Sequence, residues 1–237
     1  MKTSAQAKLL DLAEAGQNLA NSIATRLRTD IVSGRRPPGS KLSIDEIKGD
    51  FGVSLSPLRE ALARLAAEGF VVNEDKKGFK VSPVSRENHE EIARLQATLE
   101  PMALAESIRL GDSRWEESVV LAHHRLARHE RPERKDGGDV DEWESQHRSF
   151  HLALIGACDM PLLINFCESL QHFSARYRRL FLAHRPFDRN VGDEHQAMMD
   201  AAIDRKPELA ATLLREHIER TARNITEELE APRDTMR

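Results

Sequence analysis

Four histidines form the clearest chemical pattern in the sequence. His147 and His151 lie four residues apart in a segment with helical spacing, so both side chains fall on one face of that helix. His195 and His217 each lie within the apolar stripe of a later helical segment. The four imidazole rings are therefore expected to point into one apolar interior.

Burial of four imidazole rings is costly unless their nitrogens find partners. An unsatisfied buried polar group costs roughly 1–3 kcal/mol, whereas neutral imidazole is a common ligand of divalent transition metals. The pattern thus favours a shared metal site, and nitrogen ligands favour Zn²⁺ or Ni²⁺. The alternative is that each ring is hydrogen-bonded separately, or that the rings line a water-filled pocket.

The histidines lie in a region that the sequence predicts to be helical. Apolar residues recur at helical spacing in six segments, at about 87–110, 113–130, 140–158, 160–182, 192–204 and 207–230. Two polar loops, ERPERKDGGD and AHRPFDRNVG, interrupt this pattern. An all-α antiparallel helical bundle is therefore predicted, in which Cys158 and Cys167 are small buried apolar residues rather than a disulfide.

The first third of the chain predicts a different architecture. Apolar residues within 18–31 have helical spacing, and SGRRPPGSKL then ends that helix. Residues 43–51 and 54–68 predict two further helices, each with a serine cap at its start. Two extended runs, 70–73 and 78–82, flank the polar turn EDKK and predict a β-hairpin. Helix, helix, turn, helix and hairpin is the order of a winged helix-turn-helix.

These patterns divide the chain into an N-terminal extension at 1–17, a winged helix-turn-helix at 18–84 and a helical domain at 85–237. The extension is either an additional helix or a disordered arm. The net charge is −4, but residues 1–82 hold 13 Lys and Arg against 10 Asp and Glu, whereas residues 83–237 hold 22 against 29. The N-terminal third is thus the electropositive part, as expected of a module that faces DNA. Neither a run of 18 apolar residues nor a signal peptide occurs, which predicts a cytoplasmic protein without membrane contact.

The start of the third helix of this module carries residues that are suited to read DNA. A recognition helix contacts base edges from its N-terminal residues, while hydroxyl groups hold phosphates. The residues concerned are Ser54, Leu55, Ser56 and Arg59. Lys76 and Lys77, at the tip of the hairpin, are suited to contact the phosphate backbone. The serines and Gly52 alone are also compatible with an ordinary helical hairpin.

The segments LRTDIVSGRRPPGSKL, FGVSLSPLREALARLAAEGFV and GFKVSPVS resemble the winged-helix domain of the GntR family of transcription regulators. The resemblance covers about residues 18–85, and PLREALxRLxxEG is a specific signature within it. Arg59 lies at the characteristic arginine of that signature. The family often has arginines at the position of Leu55 and near Asp45, so the operator sequence of other members does not transfer to this chain.

Residues 88–230 resemble the FCD effector domain. In many members an aspartate and a histidine four residues apart, with two later histidines, hold a metal. WESQHRSFHLALIGAC carries the pair, with His147 in place of the aspartate and His151 at the histidine, and DEHQAMMDAAIDRKPELAATLLREHI carries His195 and His217. Four neutral ligands would leave the charge of the metal unbalanced and favour an anion. Small carboxylates are common effectors in this family.

The residues that hold the effector are less clearly indicated. The family often has an arginine four residues before the Glu100-Pro101 pair, and this position is Gln96 here. Four arginines are candidates to replace it: Arg94, Arg148, Arg176 and Arg178. The HxxFH pair, the preceding DEW and the later ARYR resemble the branch of carbon-starvation-induced repressors that respond to glutarate. This resemblance implies a short dicarboxylate or a related acid.

The sequence as a whole thus predicts a ligand-responsive repressor that binds a palindromic double-stranded DNA operator as a homodimer. Two other functions compete with it. One is a helical ligand-binding or interaction module without sequence-specific DNA binding. The other is a metal-dependent hydrolase, but HExxH is absent and no catalytic residue can be assigned. Glu194 adjoins His195, yet neighbouring residues of a helix point about 100° apart, which makes it a poor catalytic base.

Overall fold

The computed structural model of the protein describes residues 4–75, 77–130, 140–182 and 190–230. The chain divides into two compact units, Met1–Val84 and Ser85–Arg237. The described residues form helices and one small three-stranded sheet, which confirms the mainly α fold. Not one of the described helices is long and apolar enough to cross a membrane.

The N-terminal unit contains the helices and the sheet of a winged helix-turn-helix. Its elements are α1 (Ser4–Val32), β1 (Lys41–Leu42), α2 (Ile44–Phe51), α3 (Leu55–Ala67), β2 (Val71–Glu74) and β3 (Gly78–Val81). The strands are antiparallel in the order β1-β3-β2, with Leu42 opposite Phe79 and Val72 opposite Lys80. From Ser4 onward, the predicted extension and the predicted first helix form a single helix. Strand β1 was not predicted, because two residues are too few to show the alternation of a strand.

Local interactions explain the turn between α2 and α3. The Ser43 hydroxyl accepts a hydrogen bond from the Glu46 amide and so caps α2. Gly52 ends α2 with a φ of 61°, in the left-handed region that favours glycine. Ser54 occupies the N-cap position of α3, but its side chain accepts no capping hydrogen bond from the described helix. The prediction that Ser54 caps α3 is therefore wrong, and its side chain is exposed.

The core of the N-terminal unit follows one stripe of α1. Ile23, Leu27 and Ile31 are buried as predicted, whereas Leu19 is exposed and Ala20 takes the inward position. Positions 20, 23, 27 and 31 fit the 3.6-residue period of one helix face, and position 19 does not. The residues that α3 buries against this stripe and the sheet are Leu58, Ala61, Leu62 and Leu65.

The C-terminal unit is an antiparallel bundle of helices. They are α4 (Arg86–Leu110), α5 (Ser113–Ala127), α6 (Val140–Leu154), α7 (Pro161–Leu182), α8 (Val191–Ile203) and α9 (Pro207–Glu230). Helix α4 packs against α7 and α9, α5 packs against α6 and α8, and α8 packs against α9. Helices α5 and α6 end before the predicted residues 130 and 158. Cys158 and Cys167 are buried and form no disulfide, as predicted.

A close contact between glycine and tryptophan fixes the turn from α4 to α5. A Cβ atom on Gly111 would lie 2.4 Å from the ring of Trp115. The indole N–H of Trp115 donates to the Ala153 carbonyl at 3.0 Å, and the Arg205 guanidinium lies 5.3 Å from the ring centroid on another side. The ring is held by both neighbours, so it has little freedom to move away from residue 111.

We expect Gly111→Ala to lower the free energy of unfolding by about 1–3 kcal/mol, the usual cost of overpacking a filled core. The matched control is Gly192→Ala in α8, where the nearest side-chain atom would be 3.6 Å away and alanine favours the helix. Thermal unfolding of the two variants measures the difference. Equal melting temperatures for both variants would contradict the contact.

Candidate metal centre

The structure brings the four predicted histidines together. His147 and His151 come from α6, His195 from α8 and His217 from α9, and one ring nitrogen of each lies within 4.8 Å of those of the others. All four side chains are buried, with at most 3% of their surface exposed. These four residues are called the histidine cluster below.

Helix geometry and aromatic packing place the rings of the histidine cluster. The four-residue spacing on α6 sets the centroids of His147 and His151 4.4 Å apart. His195 and His217 meet at 4.8 Å because α8 and α9 are packed neighbours. Phe150 lies 5.5 Å from His195 and 5.8 Å from His151, so it closes one side of the cluster with an apolar ring.

Two carboxylates, the buried Glu130 and the partly exposed Glu194, orient the rings of His195 and His217. The Nδ1 of His195 is 2.8 Å from Glu130 Oε1, and the Nδ1 of His217 is 2.8 Å from Glu194 Oε2. A carboxylate only accepts, so each ring donates from Nδ1 and keeps the lone pair of Nε2. Metal-binding histidines usually donate their second nitrogen to a carboxylate in this way.

A third carboxylate, Glu100, lies beside His151. Gln96 and Gln171 donate to Glu100 at 2.7 and 2.8 Å and fix its orientation. Its Oε2 is 3.6 Å from His151 Nδ1, within range of an ion pair but too far for a good hydrogen bond. A small rotation of the imidazole would complete the same carboxylate–histidine arrangement.

Several nitrogens of the histidine cluster are left without a partner. Among the described residues, none forms a hydrogen bond with His147 Nδ1, either nitrogen of His151, or His195 Nε2. Metal–nitrogen bonds of about 2.0–2.1 Å place two ligand atoms at most about 4.2 Å apart. In a tetrahedral site the ligand atoms are about 3.4 Å apart, so the ring nitrogens, which lie within 4.8 Å of one another, would approach by up to about 1.4 Å. Four neutral imidazoles are a donor set that fits a divalent transition metal.

Burial keeps the rings neutral, which metal binding requires. It lowers the pKa of His147, His151 and His195 well below 6.5, aided by nearby positive charge, and it lowers the pKa of His217 to about 4. Burial also raises the pKa of Glu100 and of Glu130 to about 7. These two carboxyl groups therefore exchange protons near neutral pH, whereas the rings do so only in acid.

Carboxylates near the histidine cluster bear on the predicted charge of a metal site. Glu144 forms a bidentate pair with Arg178 at 2.9 and 3.0 Å, and Arg220 lies 2.5 Å from Glu194. Glu100 and Glu130 have no such pairing with a described arginine. When both are ionised, their negative charges would partly offset that of a divalent cation.

A cavity opens beside the histidine cluster. It measures about 20 Å³, counted as space open to the centre of a water molecule, which is room for one or two water-sized groups. Of the predicted effector residues, Gln96 and Arg178 line it. His89, Gln171 and Ser174 also line it, and sequence reasoning did not select any of these three.

Three predicted effector residues do not line this cavity. Arg94 lies in a separate surface groove between α4 and α9, because two residues along a helix turn its side chain away from that of Gln96. Arg148 contacts His172 at 2.9 Å. Arg176 is buried, but it lies two residues from Arg178 on α7, so the turn of the helix directs its side chain away from that of Arg178.

Sequence reasoning missed the carboxylates beside the histidine cluster. Glu194 was rejected as a catalytic base because it adjoins His195, yet it serves His217 on the neighbouring helix. Glu130 follows the end of α5, in a stretch that resembles a polar loop. Contacts between helices leave no periodic signal in the sequence. The available hint of a carboxylate partner was an acidic residue within a buried apolar stripe, such as Glu100.

The predicted DNA-reading residues lie on the outer surface of the N-terminal unit. Ser54, Leu55, Ser56 and Arg59 are exposed at the start of α3. Lys77 is exposed just before β3. Lys76 lies outside the described residues. Arg59 follows the buried Leu58, so its guanidinium is free of the core face of the helix.

Two families of known proteins match the chain. Residues 19–81 match the bacterial regulatory proteins of the gntR family, and residues 91–220 match the FCD domain. The two matches fall on the N-terminal unit and the C-terminal unit respectively.

Individual proteins also resemble the chain. It is 39% identical over 204 residues to the uncharacterized HTH-type transcriptional regulator BphR of Paraburkholderia xenovorans (strain LB400), which covers 86% of this chain and 83% of BphR. It is 30% identical over 196 residues to the HTH-type transcriptional repressor GlaR of Escherichia coli (strain K12), over 81% of this chain and 89% of GlaR. The solved structure of E. coli McbR/YncC has a TM-score of 0.77 at 20% identity and covers 88% of this chain and 97% of that one. It therefore shares the fold.

The lowered pKa values of the histidine cluster predict how the stability of the metal-free protein depends on pH. Between pH 6.5 and about 4 the unfolded chain binds more protons at these four positions, so their contribution is present above pH 6.5 and is lost as the pH falls. Glu100 and Glu130 act oppositely: their contribution is present below pH 4.5 and is lost as the pH rises through 7. Four rings outweigh two carboxyl groups, so stability should rise from pH 5 to 6.5.

Thermal unfolding in the presence of a chelator, repeated between pH 5 and 6.5, measures the slope of stability against pH. His151→Gln should reduce it by up to about 1.4 kcal/mol per pH unit, the value for one proton, whereas the exposed His124→Gln should leave it unchanged. Identical slopes for the parent and for both variants would contradict the shifted pKa of His151.

Proposed function

The chain belongs to the GntR family of bacterial regulatory proteins and carries an FCD domain, and we propose that it is a repressor whose helical unit binds a divalent transition metal together with a small carboxylate. Like the relatives it resembles, it is a transcription regulator and not an enzyme. This finding removes the hydrolase alternative. We expect it to act in the cytoplasm.

The observation that carries the metal is the set of buried nitrogens without partners. These nitrogens belong to His147, His151 and His195, and their desolvation is uncompensated in the described residues. One cation bound at the centre of the histidine cluster would take one nitrogen from each of the four rings. His195 and His217 are already oriented as ligands by Glu130 and Glu194. Imidazole ligands suit Zn²⁺ and Ni²⁺.

The cavity beside the histidine cluster supports the carboxylate. A bound metal would supply positive charge in a water-poor site, where it attracts an anion more strongly than in bulk water. Arg178 adds a guanidinium to the wall of the cavity.

The lining of the cavity supports a link between binding and regulation. Residues of α4, α6, α7 and α9 all line it, so an acid bound there would contact all four helices and favour one arrangement of them. Helix α4 begins at Arg86, where the C-terminal unit begins. A ligand with different affinity for the two arrangements shifts their populations, and this is the condition for any effect on DNA binding.

The exposed start of α3 supports DNA recognition, and exposed apolar residues support a homodimer. In helix-turn-helix dimers the two recognition helices read the half-sites of a palindromic operator. Large apolar side chains remain exposed on two helices that pack together, namely Leu95 and Met102 on α4 and Leu162 and Phe166 on α7. A second copy of the chain would remove them from water.

We expect the purified protein to contain about one Zn²⁺ or Ni²⁺ per chain. His151→Ala should lower metal retention at least tenfold, because a ligand and its partly formed contact with Glu100 are lost together. The exposed His124→Ala serves as the control. Elemental analysis of protein prepared without a nickel column measures the metal. A metal-free parent that cannot be reloaded would refute the site.

Arg59→Ala should weaken operator binding by roughly 10- to 150-fold, which corresponds to the 1–3 kcal/mol of a specific base contact. Its melting temperature should stay unchanged, because Arg59 is exposed. Arg128→Ala, an exposed arginine of the helical unit, controls for charge. Gel shifts with DNA from beside the gene of the protein compare the three. Parent-like affinity of Arg59→Ala would exclude Arg59 from recognition.

A small carboxylate should bind the metal-loaded protein and release it from DNA, and it should bind at least tenfold more weakly after the metal is removed. Calorimetry with C4–C6 dicarboxylates and hydroxy acids, before and after treatment with a chelator, measures the first effect, and gel shifts measure the second. Binding that ignores the metal would show that the metal is only structural. Metal-dependent binding with unchanged DNA affinity would remove the regulatory link.

A further inference from the structure

His89 faces the cavity and is held in one orientation. It lies near the start of α4, its side chain is 2% exposed, and it lines the cavity together with His147, His151 and Arg178. Its ring packs against Tyr177 at 4.8 Å between centroids. The Tyr177 hydroxyl is itself bonded to the backbone of Ser85, so the stack has little freedom.

The hydrogen bond of His89 fixes which nitrogen carries the proton. Nε2 lies 3.2 Å from the carbonyl oxygen of Ala222. A carbonyl only accepts, so Nε2 must donate. Burial lowers the pKa of His89 and keeps the ring neutral, so Nδ1 holds a lone pair. Among the described residues, none donates to this buried Nδ1.

Gln171 presents a second acceptor to the same cavity. Its Nε2 donates to both carboxylate oxygens of Glu100 at 2.8 Å. With Glu100 ionised, this contact fixes the orientation of the amide, because the reverse orientation would set oxygen against oxygen. Gln171 Oε1 is then buried and receives no hydrogen bond from a described residue.

The cavity therefore has two kinds of wall. One wall holds nitrogens of the histidine cluster and the Arg178 guanidinium, which is paired with Glu144; a metal bound at this wall would suit a carboxylate. The other holds two buried acceptors without donors, and an acceptor buried without a donor costs roughly 1–3 kcal/mol. A plain dicarboxylate brings only acceptors and would leave both acceptors of this wall unsatisfied.

We propose that the acid that binds in this cavity carries a hydroxyl group, and that the hydroxyl donates its hydrogen bond to His89 Nδ1 or Gln171 Oε1. The ligand class is thus a small hydroxy acid. An ammonium group is also a donor, but the positive charge of a bound metal opposes it in a site of low dielectric. This inference rests on the proposed function, since it presumes that a carboxylate binds here.

The test uses pairs of acids that differ only by the hydroxyl: succinate and malate, glutarate and 2-hydroxyglutarate, propionate and lactate, with both enantiomers of each hydroxy acid. Calorimetry on the full-length, metal-loaded protein gives the dissociation constants. The better-fitting hydroxy acid of the preferred pair should bind roughly tenfold more tightly than its partner, which corresponds to about 1.4 kcal/mol. In His89→Phe this preference should fall below about twofold while the affinity for the deoxy acid is kept.

Two further variants make the result specific. His89→Asn retains an acceptor near the position of Nδ1 and should restore part of the preference. His124→Phe, at an exposed position of α5, should behave as the parent does. Metal content and circular dichroism establish that His89→Phe is folded. If His89→Phe does not fold, Gln171→Leu takes its place as the test variant. Loss of the preference for the hydroxy acid in Gln171→Leu, with the deoxy acid still bound, would support the assignment.

The outcomes separate this inference from the function on which it rests. Equal binding within every pair, or a preference that survives in His89→Phe, would overturn the hydroxyl assignment and leave the carboxylate sensor intact. Failure of all the acids to bind the metal-loaded parent would overturn the carboxylate sensor, and this inference with it.

Discussion

Burial of four neutral imidazole rings is the constraint on which the helical unit depends. A protonated ring at this depth would be strongly destabilised, and a neutral ring still requires partners for both nitrogens. Glu130 and Glu194 supply two of these partners, one for His195 and one for His217. One ring nitrogen of each of the four histidines lies within 4.8 Å of the others, and the divalent cation proposed above would be a partner for these four together. The packing of α6, α8 and α9 brings them to one centre.

The carboxylates around the histidine cluster are not all alike. Glu144 and Glu194 are each paired with an arginine, which balances their charge. Among the described residues, Glu100 and Glu130 have no arginine partner, and burial raises the pKa of each to about 7 in the metal-free protein. A cation bound in the histidine cluster would favour the ionised form of both.

Local patterns predicted most of the fold, because helix formation is visible in short windows of sequence. The apolar stripes located every helix of the C-terminal unit, and the glycine and serine signals located the turn before α3. They missed β1, which has two residues, and they placed Leu19 rather than Ala20 in the core. In each case tertiary packing or sheet pairing decided what a short window could not.

The site was predictable only in part, for a related reason. Four histidines in apolar stripes are recognisable, since burial of a polar ring is unusual. Their carboxylate partners come from other helices, and His89 shows its role only when the Ala222 carbonyl fixes its tautomer. Such pairings depend on how the helices pack. Sequence reasoning named five effector residues, and of these Gln96 and Arg178 line the cavity.

X-ray absorption spectroscopy at the metal edge, on protein prepared without a nickel column, tests the central claim most directly. If the histidine cluster holds the ion, the spectrum should show four nitrogen neighbours at about 2.0–2.1 Å with the outer-shell scattering of imidazole. Addition of a bound carboxylate should add oxygen neighbours without removing nitrogen ones. A bound metal surrounded mainly by oxygen, or with fewer than three imidazoles, would contradict the account.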